Sequence, residues 1–71
     1  MTTTMQPVNS SNIKAIGYDQ STRTLYVQFN SNSTWEYDLV PIEIYDALSS
    51  ADSKGKYYNS IIKHAYRGRQ I

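Results

Sequence analysis

The spacing of apolar residues changes once along this chain, at Val40-Pro41, and divides it into a strand half and a helix half. Before that point, residues 24–30 and 34–39 alternate apolar and polar side chains with the period of two that a half-buried strand requires. Residues 13–18 are a third strand candidate. There Ile13/Ala15 and Ile16/Tyr18 are equally apolar, so alternation leaves the buried face undecided. The inward side chains expected from the two clear strands are Leu25, Val27, Phe29, Trp35, Tyr37 and Leu39.

Short polar segments separate the three strand candidates. Residues 19–23 form the first, and Asn30-Ser31-Asn32-Ser33 forms the second, where asparagine tolerates left-handed backbone better than other non-glycine residues. Strands joined by such short connections pair with their neighbours in an antiparallel meander.

After Val40, the apolar residues recur at helical spacing. Pro41 suits the first turn of a helix, because the N–H that proline lacks would have no partner there. The first helix is expected to leave Ile42 exposed and to bury Ile44, Tyr45, Leu48 and Ala51. After a break at residues 49–55, a second helix over about 56–66 should bury Tyr58, Ile61, Ile62 and Ala65, with Lys56, Lys63 and Arg67 on its far side.

These elements predict an α+β fold, a three-stranded antiparallel β-meander followed by two helices packed on one face. Residues 1–7 are expected to be a flexible N-terminal tail and residues 8–71 a single domain. Leu48, Tyr58 and Ile62 join the strand residues named above in the expected core.

Composition excludes several classes of function. The chain has no cysteine and one histidine, so thiol chemistry, thiolate metal sites and multi-histidine metal sites are excluded. No apolar run approaches the roughly 20 residues that span a bilayer, and residues 1–6 lack the features of a secretory signal. We therefore expect a soluble, intracellular, non-enzymatic protein without cofactor, metal or membrane partner.

Charge is distributed unevenly along the chain. Residues 1–53 contain two basic and six acidic side chains, whereas residues 54–71 contain five basic side chains and no acidic one. The five cations are Lys54, Lys56, Lys63, Arg67 and Arg69. Such a basic end favours an anionic partner, although attraction between the two halves of the fold explains it equally well.

Ser53-Lys54-Gly55-Lys56 is the local sequence most suggestive of a ligand site. A capping serine, a glycine that allows close approach and two lysines at a helix N-terminus could together bind a phosphate. The helix dipole disfavours positive charge at this end, which makes Lys54 and Lys56 stronger functional candidates than the two arginines. The alternative is an ordinary capped turn between helices.

Tyrosine is unusually frequent, with seven in 71 residues. Tyrosine rings fill small cores and also stack on nucleic-acid bases, so most of the seven are expected to be packing residues. The candidates for base stacking or for an interface are Tyr57, Tyr66 and Tyr26, together with the apolar Ile42.

An ordered set of motifs extends over residues 8–69. In the first half they are Ser11-Asn12-Ile13, Gly17-Tyr18-Asp19, residues 24–29 and residues 35–41 (Trp-Glu-Tyr-Asp-Leu-Val-Pro). In the second half they are Tyr45, Leu48, Ser53, Gly55, Tyr58-Asn59, Ile62 and Tyr66-Arg67. This ordered set resembles the KTSC domain family, whose Tyr-x-Tyr and Val-Pro motifs are similar to residues 35–41, with Trp35 in place of the usual first Tyr. The family usually has a glycine in the turn that reads Asn-Ser-Asn-Ser here.

The resemblance implies little about mechanism. The family occurs at the C-terminus of some lysyl-tRNA synthetases and as short bacterial and phage proteins. Its attachment to a synthetase implies RNA binding, and the resemblance supplies no catalytic residues. It also implies a location in the cytoplasm of a bacterium or, if the protein is phage-encoded, of the host. The leading expectation is therefore a binding module for RNA or a phosphate-bearing nucleotide. The alternative is a protein-interaction module, such as a phage-type inhibitor of a host protein, acting through Ile42 and the open sheet face. A homo-oligomer is a third expectation, since the sheet edges of so small a domain need cover.

Overall fold

The computed structural model describes residues 5–71, and over that range the chain forms one antiparallel sheet and two helical segments. The sheet has the order β1-β2-β3-β4-β5. Helix α1 lies between β4 and the second helical segment, residues 54–65, in which α2, a π-helical turn and α3 run without a break. The bounds are β1 Gln6–Pro7, β2 Ile13–Asp19, β3 Thr24–Phe29, β4 Thr34–Tyr37, α1 Ile42–Ser50, α2 Lys54–Tyr57, the π turn Tyr58–Ile62, α3 Lys63–Ala65 and β5 Gly68–Gln70.

The class is α+β, but the predicted three-stranded meander is wrong, because the described residues form five strands. β1 pairs with β2 through Gln6 and Pro7, which the sequence had assigned to the tail, and β5 returns after the helices to pair with β4. Strands of two and three residues are too short to show alternation. Backbone hydrogen bonds hold these strands in the sheet, and such bonds impose no pattern on the side chains. Residues 1–4 of the predicted tail lie outside the described residues.

A β-bulge decides which face of β2 is buried. Ile13 pairs with Phe29 and Ala15 pairs with Gln28, so Lys14 is the extra residue on the bulged strand. Since paired residues share a face, Ile13 and Ile16 both point to the core side, and they are 0% and 1% exposed. The alternation of side chains along β2 does not reveal its buried face, because the extra residue at the bulge shifts the alternation by one position.

Strand β4 ends two residues earlier than predicted, and Leu39 is not a core residue. Leu39 has a φ of 56°, in the left-handed region, and its side chain is 74% exposed. The turn brings Val40 into the core instead, where its N–H donates to the Arg23 carbonyl at 2.8 Å and its carbonyl accepts from the Tyr18 hydroxyl. The left-handed backbone of Leu39 therefore places Leu39 outside and Val40 inside, which is the reverse of the positions that alternation predicts.

Three aromatic rings join the sheet to the second helical segment. The Tyr58 ring lies edge-on to Phe29 and Tyr37, with centroids 5.2 and 5.9 Å apart. The hydroxyls of Tyr37 and Tyr58 are hydrogen-bonded to each other. Burial, with a further contribution from that hydrogen bond, raises the pKa of Tyr37, since a phenolate would lose its hydration there. The hydrogen bond between the two hydroxyls links the second helical segment to the sheet.

The core beneath the helices matches most of the expected set. Leu25, Val27, Tyr37, Leu48, Tyr58 and Ile62 are buried, while Phe29 and Trp35 are half-buried and pack against them. Ile42, expected to be exposed, is half-buried.

A π turn changes which residues of the second helical segment face inward. The Lys63 N–H donates to the Tyr58 carbonyl, five residues back, so each residue in the turn rotates the chain by less than the 100° of an α-helix. The inward residues are consequently spaced by four, at Tyr58 and Ile62. Ile61 and Ala65, both expected inward, are exposed.

Candidate functional site

The turn that leads into the second helical segment has the predicted cap. Ser53 has an extended backbone, and its Oγ accepts a hydrogen bond from the Lys56 N–H at 3.4 Å. Lys54 behaves differently from the prediction, because its Nζ donates to the Ala51 carbonyl at 3.1 Å, at the C-terminal end of α1. A cation there is favoured by the α1 dipole, so Lys54 also has a structural role.

Gly55 is buried because the loop before β2 packs against it. A Cβ at this position would lie 3.0 Å from Asn12 Nδ2, which is closer than a side chain normally comes. The absence of a side chain therefore lets the second helical segment approach residues 11–12. This gives Gly55 a packing reason independent of phosphate binding.

Beside this contact lies a pocket of about 380 Å³, which the sequence analysis missed. The loop before β2, the turn after β3 and the start of the second helical segment each contribute to its wall. We call it the asparagine pocket, lined by Ser11, Asn12, Ile13, Phe29, Asn30, Ser31, Gly55, Tyr58 and Asn59. Its asparagines and serines were interpreted only as turn formers, and their clustering arises from tertiary packing. The resemblance had picked out Asn12 and Asn59 without indicating that they meet.

Backbone and side-chain hydrogen bonds hold the two loops of the asparagine pocket together. The Asn30 Nδ2 donates to the Ser11 carbonyl at 2.7 Å, and the Asn30 N–H donates to the Asn12 carbonyl at 2.9 Å. Ser10 Oγ accepts from the Ile13 N–H at 3.3 Å, which orders the entry into β2. The pocket is therefore formed before any ligand arrives.

The five predicted cations do not form one cluster. Lys56, Lys63 and Arg67 are exposed, whereas Arg69 forms the single ion pair found within residues 5–71, with Glu36 across β4 and β5. The hydrogen bond that Arg69 donates to Glu36, followed by the negative charge of Glu36, raises the pKa of Arg69. Glu36 and Arg69 alternate with inward residues of their strands, so they lie on the sheet face opposite the helices.

The predicted aromatic candidates are less free than expected. Tyr57 and Tyr66 are half-buried and pack against the core. Tyr26 is half-buried on the open face of the sheet, where it pairs with Glu36. Ile42 contributes with Tyr18, Arg23 and Glu43 to a second cleft of about 400 Å³ at the start of α1. Among the helices that the structure describes, none has the length and apolar character to cross a membrane.

Comparison with known proteins identifies the family of this chain. A protein of Tsukamurella paurometabola is 43% identical over 63 residues, which cover 89% of this chain and 94% of that one. A lysine–tRNA ligase of Nostoc punctiforme is 39% identical over 59 residues, 83% of this chain but only 10% of the ligase. The crystal structure of a KTSC domain protein from Yersinia pestis superposes with a TM-score of 0.94 at 38% identity, covering 99% of both chains. The family model of the KTSC domain matches residues 9–66, and the chain belongs to that family.

Proposed function

We propose that this protein binds single-stranded RNA or a nucleotide through the exposed cations Lys56, Lys63 and Arg67, which we call the cationic surface. The observation that carries the proposal is the charge at this end of the chain. The three side chains are exposed, and residues 54–71 contain no acidic side chain. A partner rich in phosphate matches such a surface better than a neutral one does.

The matched relatives support RNA as the class of ligand. The ligase of Nostoc punctiforme is named for tRNA, and this chain matches a tenth of its length. A domain joined to an enzyme that handles tRNA would gain affinity for the same substrate through even weak phosphate contacts, because tethering raises the effective concentration.

Binding here is electrostatic and involves no chemical step. Each cation that neutralises a phosphate releases a counterion, so affinity for a single strand should fall with salt at a log–log slope of about −0.7 per contact. Three contacts predict a slope near −2. Arg69 is held by Glu36 on the other side of the sheet and should contribute little.

Fluorescence anisotropy with a labelled oligouridine at 50–200 mM salt tests the proposal. Lys56→Gln should weaken binding and reduce the magnitude of the slope by about 0.7. Arg69→Gln is the matched control, since it removes the same charge from the opposite face, and it should leave the slope unchanged. Salt-independent binding, or equal effects of the two substitutions, would overturn the proposal that the cationic surface binds phosphate. A salt-independent protein complex would instead favour an interaction module.

A further inference from the structure

The asparagine pocket has the chemistry of a site for a neutral, hydrogen-bonding ligand. Its lining contains no charged side chain, and its volume of about 380 Å³ is at the small end of the range for ligand sites. Each asparagine amide offers both donors and an acceptor. Asn12, Asn30 and Asn59 are exposed, and Asn30 uses its amide N–H to hold the wall in place. Such walls suit a flat group with both donors and acceptors better than they suit a phosphate.

The inner wall of the pocket is aromatic and rigid. Phe29 and Tyr58 line it, and their rings pack nearly at right angles, at 73°. The Tyr58 hydroxyl is hydrogen-bonded to the Tyr37 hydroxyl, and this bond holds the Tyr58 ring in the wall. A fixed apolar surface suits the face of a nucleobase, and the amide groups beside it suit the hydrogen-bonding edge of the base.

Two lysines are chain neighbours of residues that line the pocket. Lys56 follows Gly55 in the chain, and Lys14 follows Ile13, with its Nζ donating to Asn32 Oδ1 at 3.1 Å beside Ser31. A nucleotide has the same arrangement, a neutral base attached to a charged phosphate.

From this combination we infer that the asparagine pocket holds one base of the RNA or nucleotide whose phosphates contact the cationic surface. Asn12 and Asn59 hydrogen-bond the edge of the base, while Phe29 and Tyr58 contact its face. This inference rests on the proposed function, but it concerns a different group of the ligand and different residues.

A pair of oligonucleotides separates the two sites. One is a short oligouridine, and the other has the same backbone without bases. The abasic strand should bind the wild-type protein about tenfold more weakly, because a stacked base contributes roughly that factor. Asn59→Leu should weaken oligouridine binding by about the same factor and leave abasic binding unchanged. Asn9→Leu, the same substitution at an exposed position outside the lining, is the control and should change neither.

Each outcome distinguishes the pocket from the cationic surface. Asn12→Ala is a second pocket variant, and circular dichroism confirms that each variant is folded. If wild type binds both strands equally, or if both pocket variants keep the wild-type preference for the oligouridine, the base site is overturned while the cationic surface stands. If Asn59→Leu abolishes the preference for bases but Lys56→Gln has no effect, the base site stands and the cationic surface is overturned.

Discussion

The two faces of the sheet serve different purposes, although the same strands build both. The helix-covered face contains Ile13, Ile16, Leu25 and Val27, all at most 1% exposed. The open face contains Tyr26 and the Glu36–Arg69 ion pair, all in contact with solvent to some degree. The difference teaches that the helix-covered face provides most of the stability. The cations that we propose as ligand contacts lie in the second helical segment and in the loop that follows it.

Adjacent residues of β3 give the largest expected contrast between the faces. Leu25→Ala should lower the free energy of unfolding by about 3 kcal/mol, since it removes a fully buried side chain and leaves a cavity. Tyr26→Ala, one residue along on the open face, should cost about 1 kcal/mol through lost cross-strand packing. Urea denaturation followed by Trp35 fluorescence measures both. Equal losses would show that the open face is covered in solution, as in an oligomer.

Gly68→Ala tests the attachment of β5, one of the two strands that the sequence did not predict. A Cβ at residue 68 would lie 2.2 Å from Cε1 of the Tyr37 ring, so the ring or the strand must move. We expect a loss of roughly 1–3 kcal/mol, as for other overpacked sites. Faster amide exchange of Gln70 and Ile71 would show that β5 separates. Gly55→Ala is the comparison, with a milder contact and a smaller loss.

Leu39→Gly tests the residue at which the chain changes faces. Glycine adopts the left-handed conformation without a Cβ clash, and little buried area is lost because Leu39 is 74% exposed. We expect a gain of up to about 1 kcal/mol, which raises the melting temperature by several degrees. Leu39→Ala, which keeps the clash, should give no gain. A destabilised glycine variant would show that the leucine side chain has a partner.

The smallest expected effect belongs to the Glu36–Arg69 pair on the open face. Arg69 is 72% exposed, so water screens the attraction, and a double-mutant cycle with Glu36→Gln and Arg69→Gln should give a coupling of about 0.5 kcal/mol. The coupling should weaken further at 0.5 M salt. A value above 2 kcal/mol would mean that this pair is shielded and that the open face contributes to stability.

Local patterns were sufficient where an element is long enough to show its period. The alternation in β3 and the spacing in α1 indicated these elements correctly, and Ser53 was identified as a cap from its position before the helix. β1 and β5 were missed because pairing of two or three residues depends on the neighbouring strand and not on their own side chains. The KTSC family was recognisable from the order of motifs alone.

By itself, the sequence determined the α+β class, most of the aromatic and aliphatic core and the concentration of positive charge in residues 54–71. The tertiary structure decided where phase changes occur: the bulge at Lys14, the left-handed Leu39 and the π turn from Tyr58. It also brought Asn12, Asn30 and Asn59 together into one pocket. Each of these features depends on contacts between residues far apart in the chain. An interruption of the regular strand or helix period costs free energy locally, and it is stable only where packing elsewhere in the fold compensates that cost.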